Sequence, residues 1–262
     1  MAELPNPPCV PKLHSGGTEP FARSGRPSAD RAARSFKPRG RMSPTLRRAM
    51  QTVAPALLIP PAVGLLDVSV AFGRDAPLIV DLGFGMGDTT VALAHQHPAS
   101  AVLGIDVHLP GVARVADRAA AAGLTNIRLI SADGIDVLRH MLAEGSISLI
   151  QIAFPDPWPK PSQRHRRLVD ARFVALVASR LAPGGVLRLA TDVDDYAVQM
   201  LSALRSEPLL TNVHDAFAPR DASRPATKFE RRALAAGRTV HDLAFQRVDA
   251  DQRSESNTAG ST

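Results

Sequence analysis

From residue 77 onward the chain alternates short apolar runs with segments of helical pattern, and every run ends at an acid. Leu78-Ile79-Val80 leads to Asp81 and a glycine loop. Ala101–Ile105 leads to Asp106, Ile127–Ile130 to Asp133, Ile147–Phe154 to Asp156, and Val186–Ala190 to Asp192. Between them the pattern predicts helices over Thr89–Gln96 (capped by Asp88), Pro110–Ala122 (stopped by Gly123), Ile135–Leu142, Arg166–Leu181 (stopped by Pro183-Gly184-Gly185) and Asp194–Leu204. Strand-like segments near Leu209–Val213 and Val240–Phe245 close the pattern. Such alternation with short loops predicts an α/β fold with a mainly parallel sheet covered by helices on both faces. In such folds ligands bind at the carboxyl ends of the strands. The five acids stand there.

The first loop reads Asp81-Leu82-Gly83-Phe84-Gly85-Met86-Gly87-Asp88. Glycines let the backbone turn tightly and approach a ligand closely. The dinucleotide fingerprint is G-x-G-x-x-G, but here the spacing is G-x-G-x-G and Asp88 occupies the last position of the longer motif. A diphosphate at that helix start would face a carboxylate, which disfavours a nicotinamide oxidoreductase. A cofactor without phosphate and with a positive charge suits the loop, and S-adenosyl-L-methionine meets both conditions. Asp81 can attract its cationic methionyl portion, Asp106 can accept bonds from ribose hydroxyls, and Asp133 is placed to reach an adenine amino group. Gly83, Gly85 and Gly87 complete the expected cofactor site.

After the fourth run comes Phe154-Pro155-Asp156-Pro157-Trp158-Pro159-Lys160-Pro161. Its prolines stiffen the backbone and hold a carboxylate, a tryptophan and a lysine in fixed relation. Trp158 is the one tryptophan in the chain; it can stack on a nucleobase or simply anchor the loop. The basic cluster Arg164-His165-Arg166-Arg167 is expected at a helix start. Cations there oppose the helix dipole, so a phosphate backbone would compensate them.

Charge is unevenly distributed. Residues 1–50 hold ten Lys and Arg against three Asp and Glu, a net +7, whereas the remainder holds 21 against 22. Residues 1–33, rich in Pro, Gly, Ser and Arg, are expected to be a disordered tail, as are residues 249–262, leaving 34–248 as the domain. The one cysteine, Cys9, excludes a disulfide framework and a Cys-based zinc site and suits a reducing, cytoplasmic setting. The longest apolar stretch, Val53–Phe72, is broken by Pro55, Pro60, Pro61 and Asp67 and makes a poor membrane span. No secretory signal is legible. No histidine pair shows metal-site spacing with a third ligand, so no metal is expected; His108 reads as a loop hydrogen-bonder. Tyr196 and the stripe Val174, Leu176, Val177 and Leu181 read as core.

Taken together, several segments give the chain a resemblance to the bacterial tRNA (guanine-N7-)-methyltransferases, which are class I S-adenosylmethionine-dependent enzymes with a Rossmann-like fold. They are Asp81–Gly87, Gly104–His108 with Pro110-Gly111, Asp133, Phe154–Lys160, Arg166-Arg167, Pro183–Gly185, Ala190–Asp192 with Tyr196, and Thr227-Lys228-Phe229-Glu230. The resemblance spans about Ser35 to Arg247. It implies cofactor-binding roles for Asp81, Asp106, Asp133 and Asp156, and a catalytic role for Asp156. It also implies substrate-binding roles for Lys160, Asp192, Thr227, Lys228, Phe229 and Glu230. The substrate it implies is tRNA, methylated at a guanine of the variable loop. Arg34-Ser35-Phe36 and Arg39-Gly40-Arg41 resemble a basic N-terminal segment of the family. Departures from the family pattern are Ser162-Gln163 for a frequent Arg-His pair, Ala233 for a frequent glycine, Arg238 for a frequent histidine, and Asp for Glu at 81 and 106. A monomer is expected.

Guanine N7 carries an exposed lone pair and no proton, so its methylation needs no general base. Orientation and electrostatics must supply most of the rate. The expected arrangement has Asp156, or Glu230 beside it, holding the guanine N1–H and amino edge so that N7 faces the methyl group. Two alternatives stand beside this reading: a methyltransferase acting on another RNA, a protein or a small molecule, and a non-catalytic tRNA-binding scaffold.

Overall fold

The computed structural model describes residues 42–248. The expected tails, Cys9 and the segments at 34–36 and 39–41 lie outside the described residues. The first three helices are α1 (Pro44–Thr52), α2 (Ala54–Leu57) and α3 (Val68–Phe72). The alternating unit follows: β1 (Leu78–Leu82), α4 (Asp88–Gln96), β2 (Ala101–Ile105), α5 (Leu109–Ala121), β3 (Ile127–Ile130), α6 (Gly134–His140) and β4 (Ile147–Ala153). A 3-10 turn over Pro161–Arg166 precedes α7 (Ala171–Arg180), β5 (Leu181–Thr191), α8 (Asp194–Arg205), β6 (Leu210–Asn212), α9 (Lys228–Ala235) and β7 (His241–Arg247).

The seven strands form one sheet in the order β3-β2-β1-β4-β5-β7-β6. The first five are parallel, and β7 runs antiparallel to both β5 and β6. The expected α/β fold with helices on both faces is therefore present. Alternation along the strands builds two cores. Leu103, Ile150, Leu187 and Phe245 face one side and pack with residues of α6, α7 and α8. Ile79, Val102, Leu129 and Leu149 face the other and pack with α4 and α5. In α5, Val112, Val115, Ala116 and Ala119 recur at helical spacing and are all buried. Truncating a residue as buried as Ile150 to alanine costs about 2–5 kcal/mol.

Tyr196 is fully buried as expected; its hydroxyl accepts a bond from the backbone N–H of Val169 at 3.0 Å. Two expectations shift. The helix expected from Arg166 begins at Ala171, because the Asp170 carboxylate caps it by accepting the Phe173 N–H at 2.8 Å. It ends at Arg180, since Leu181 is already extended and begins β5; Pro183-Gly184-Gly185 lies inside that strand, where register shifts against β4. A Cβ on Gly185 would meet two carbonyl oxygens at 2.7 and 2.8 Å. The helices α1, α2, α3 and α9 were not expected, although T-x-x-E at Thr227–Glu230 is a helix-start signature.

Candidate active site

The carboxyl ends of β1, β2 and β3 bring the glycine loop and three acids together. Asp81 is the fourth residue of β1 and is buried. Its Oδ2 accepts bonds from the hydroxyls of Thr89 and Thr90, each at 2.7 Å. Its Oδ1 is buried with no hydrogen-bond partner. Burial pushes the carboxyl pKa up to about 6 against these two bonds, and Asp106 adds to the rise. A buried acceptor without a donor is costly, and a cation placed against Oδ1 would relieve it. Asp106 follows β2 and links the loop to the next helix: Oδ2 accepts the Gly85 N–H at 2.6 Å and Oδ1 the His108 N–H at 2.8 Å. Burial raises its pKa also, opposed by these backbone donors.

The loop requires its glycines. Gly87 has φ +76°, and a Cβ there would lie 1.9 Å from Val115 Cγ2. Above Gly83 and Gly85 the space is open, so a ligand can lie directly on the backbone. Gly87, not Asp88, is the N-cap of α4; the Asp88 carboxylate turns to Arg118, with Arg114 at 3.8 Å. Asp133 caps α6 by accepting the Ile135 N–H at 2.8 Å. These features fit S-adenosyl-L-methionine: an orphaned anion for its cation, an open glycine cradle, and acids at the next two strand ends.

The carboxyl ends of β4 and β5 carry the second half of the site. Phe154 (φ +55°) and Trp158 (φ +39°) are the only non-glycine residues with positive φ among the described residues. Both lie in the F-P-D-P-W segment, and strain of this kind gathers at functional sites. Asp156 is exposed and forms no hydrogen bond or ion pair with other described residues. The loop is pinned from below by Arg167, which is buried. Arg167 donates to the Pro157 carbonyl at 2.9 Å, to Gln199 Oε1 at 2.8 Å and to Asp195 Oδ2 at 2.9 Å. The basic cluster therefore divides. Arg167 braces the loop, Arg164 pairs with Asp195 at 2.7 Å, and Arg166 lies over the Trp158 ring at 3.7 Å. Trp158 thus already has one stacking partner.

The T-K-F-E segment forms the start of α9. Thr227 caps it, accepting the Glu230 N–H at 3.1 Å. Phe229 is 58% exposed, and its ring stacks 6.5 Å from that of Phe154, bringing the two most distinctive motifs together. Lys160 and Lys228 are exposed. Asp192 is held by Arg238, at 2.9 Å from Nε and 2.8 Å from a terminal nitrogen. Glu230 does not stand open beside Asp156. It is fully buried, with Oε1 accepting from Arg220 at 2.6 Å and Oε2 from Arg224 at 2.9 Å. Arg224 continues to Asp242 on β7 at 2.9 Å.

None of Arg220, Arg224 and Asp242 is expected from the sequence. The available signal was an acid inside the apolar strand pattern Val240–Phe245, which needs a buried partner. Beneath this network lies a cavity of about 340 Å³ lined by Gln151, Arg188, Arg224, Asp242 and Gln246 among others; no residue of the glycine loop lines it. Among the described residues no group of three or more His, Cys, Asp or Glu could hold a metal ion. No helix there is long and apolar enough to cross a membrane.

Residues 75–243 match a family model described as "Putative methyltransferase". A tRNA (guanine-N(7)-)-methyltransferase of Nitrosospira multiformis is 44% identical over 221 residues, covering 84% of this chain and 96% of that protein. A protein of the same name from Aromatoleum aromaticum is 46% identical over 220 residues, 84% of this chain and 85% of its own length. Among solved structures, the 16S rRNA methyltransferase KamB superposes with a TM-score of 0.52 over 72% of this chain and 96% of that one. At 14% identity this is a likeness of fold.

Proposed function

The chain belongs to the tRNA (guanine-N7-)-methyltransferase family, and from that premise we propose that it methylates N7 of guanine 46 in the variable loop of tRNA, in the cytoplasm, using S-adenosyl-L-methionine. The cofactor supplies, when bound, an electrophilic methyl group on a sulfonium. The single observation of geometry that carries the reading is Asp81 Oδ1, a buried anion without a donor, beside an open glycine cradle.

The chain's own residues then divide the work. Asp81 receives positive charge at the methionyl end. Asp106 orders the loop through Gly85 and His108 and retains lone pairs for ribose hydroxyls. Asp133 keeps a second oxygen for an adenine amino group while it caps α6. No residue needs to remove a proton from N7. Asp156, at the end of β4, accepts the N1–H and amino donors of guanine and so turns N7 toward the methyl group. Its charge also favours the positive charge that develops on the purine. Phe229 and Phe154 offer an aromatic surface for a base that has left its stack, a step that costs a few kcal/mol. Lys160 and Lys228 meet phosphates.

The test is incubation with labelled S-adenosyl-L-methionine and unmodified tRNA, followed by nucleoside analysis and mapping. The expected product is 7-methylguanosine at the variable loop. Another methylated nucleoside, or label spread over tRNAs that lack that guanine, overturns the reading.

A further inference from the structure

Behind the exposed edge of α9 lie four acidic and basic side chains, Arg220, Arg224, Glu230 and Asp242, none of which has a role in the proposed function above. Arg224, its side chain 4% exposed, is the hub. One terminal nitrogen donates to Glu230 Oε2 at 2.9 Å, and the other donates to Asp242 Oδ1 at 2.9 Å and Oδ2 at 3.2 Å. Its guanidinium carbon lies 5.6 Å from the centre of the Phe154 ring. One side chain therefore ties α9, β7 and the first residue of the F-P-D-P-W segment together. Arg220 completes the frame: Nε donates to Glu230 Oε1, and its terminal nitrogens hold the carbonyls of Asp221 at 3.1 Å and Arg224 at 2.9 Å.

This arrangement bears on what Glu230 can do. Both its oxygens are engaged by arginines, and its side chain has no exposure. A base edge could reach it only by displacing Arg220, whose guanidinium is also fixed by two backbone carbonyls. Removing one charge from such a group leaves another unpaired in the interior, which is strongly unfavourable. The neighbouring Phe229 faces outward against Phe154. The helix thus locks its acid inward and presents its aromatic ring.

We propose that Arg224 is a positioning residue of the methyl-transfer site, and that Glu230 acts through Arg224 and Arg220 rather than by touching the target base. Together they set the Phe154–Phe229 pair, and with it the loop that carries Asp156. This inference rests on the tRNA-methylating function proposed above.

A double-mutant cycle on the full chain tests it, reading kcat and KM for tRNA, cofactor affinity and Tm. Arg224→Gln and Glu230→Gln should each lower kcat/KM for tRNA by about tenfold or more, with affinity for S-adenosyl-L-methionine unchanged. The double variant should be no worse than the poorer single, because both break one unit. Arg224→Lys, which keeps the charge, should recover part of the loss. Should the glutamine variants fail to fold, the milder pair Arg224→Lys and Glu230→Asp, run through the same cycle, decides. Losses that multiply in the double variant, or single variants with unchanged kcat/KM, overturn the proposal. A wild-type chain that forms no 7-methylguanosine overturns the function itself, which separates the two failures.

Discussion

The two halves of the site treat their acids in opposite ways. At the ends of β1, β2 and β3, Asp81, Asp106 and Asp133 accept hydrogen bonds from hydroxyls and backbone N–H groups, with His108 as a further electrostatic partner of Asp106. At the ends of β5 and β7 and on the adjoining helices, Asp192, Asp195, Glu230 and Asp242 are each held by arginine. Under the proposed function the difference follows from what each half receives. A cationic cofactor needs an anion left free for it. A polyanionic substrate needs cations, and the acid-held Arg164, Arg220 and Arg238 keep partly exposed side chains for it, whereas Arg167 and Arg224 are buried and serve the frame. Asp156 is the exception in the second half, exposed and without an ion pair among the described residues, and the proposed function puts it where positive charge develops on the base.

The contrast gives neutralising substitutions opposite signs. Glu230→Gln leaves Arg224 poorly paired in the interior and should lower stability by about 3–5 kcal/mol, read by thermal or denaturant unfolding. Asp81→Asn removes a desolvated charge and should raise the stability of the cofactor-free chain at neutral pH by about 1–2 kcal/mol while weakening cofactor binding. Equal destabilisation by both would erase the distinction between the halves.

Asp156→Asn should cut turnover by about 100-fold or more with cofactor affinity retained. Near-normal turnover would remove Asp156 from the chemistry and leave the second half with binding alone.

The pH dependence of cofactor binding isolates the first half. Asp81 has its pKa at about 6 in the folded chain, above the ordinary 3.8. The native state therefore holds this proton between about pH 4 and 6, where the unfolded chain has lost it. Its contribution to the stability of the cofactor-free chain is full below pH 3.8 and is lost as pH rises through 6. Cofactor binding needs the ionised form, so affinity should fall by up to about tenfold per pH unit below 6, as calorimetry would show. A flat profile between pH 5 and 7 would mean that Asp81 does not meet the cation.

The smallest effects concern the arm. Neutralising Arg39 and Arg41 should weaken tRNA binding about threefold at physiological salt and lower the salt slope by about 2. Deleting residues 1–30 should leave methylation largely intact. Filter binding across a salt series checks both, and the reverse pattern would move the boundary of the RNA-binding segment toward the terminus.

The sequence by itself determined the parallel sheet, the glycine loop and the strand-end acids. These signals are local: strand and helix periods, glycines, caps and the stiffness of a proline-rich segment act within a few residues. It missed the start of α7, where Asp170 as an N-cap outweighed the apolar period that suggested an earlier beginning. It placed Glu230 near the F-P-D-P-W segment, and α9 does meet that segment, through Phe229 rather than through the acid. Only the tertiary structure decided which acids have cations. Arg167 finds Asp195 across 28 residues and Arg238 finds Asp192 across 46, and no local pattern encodes such pairings. Burial is likewise a property of the packed chain, so Asp81 and Glu230, both acids in distinctive motifs, separate only once folded: one keeps a buried oxygen without a hydrogen-bond donor, and the other is closed between two arginines.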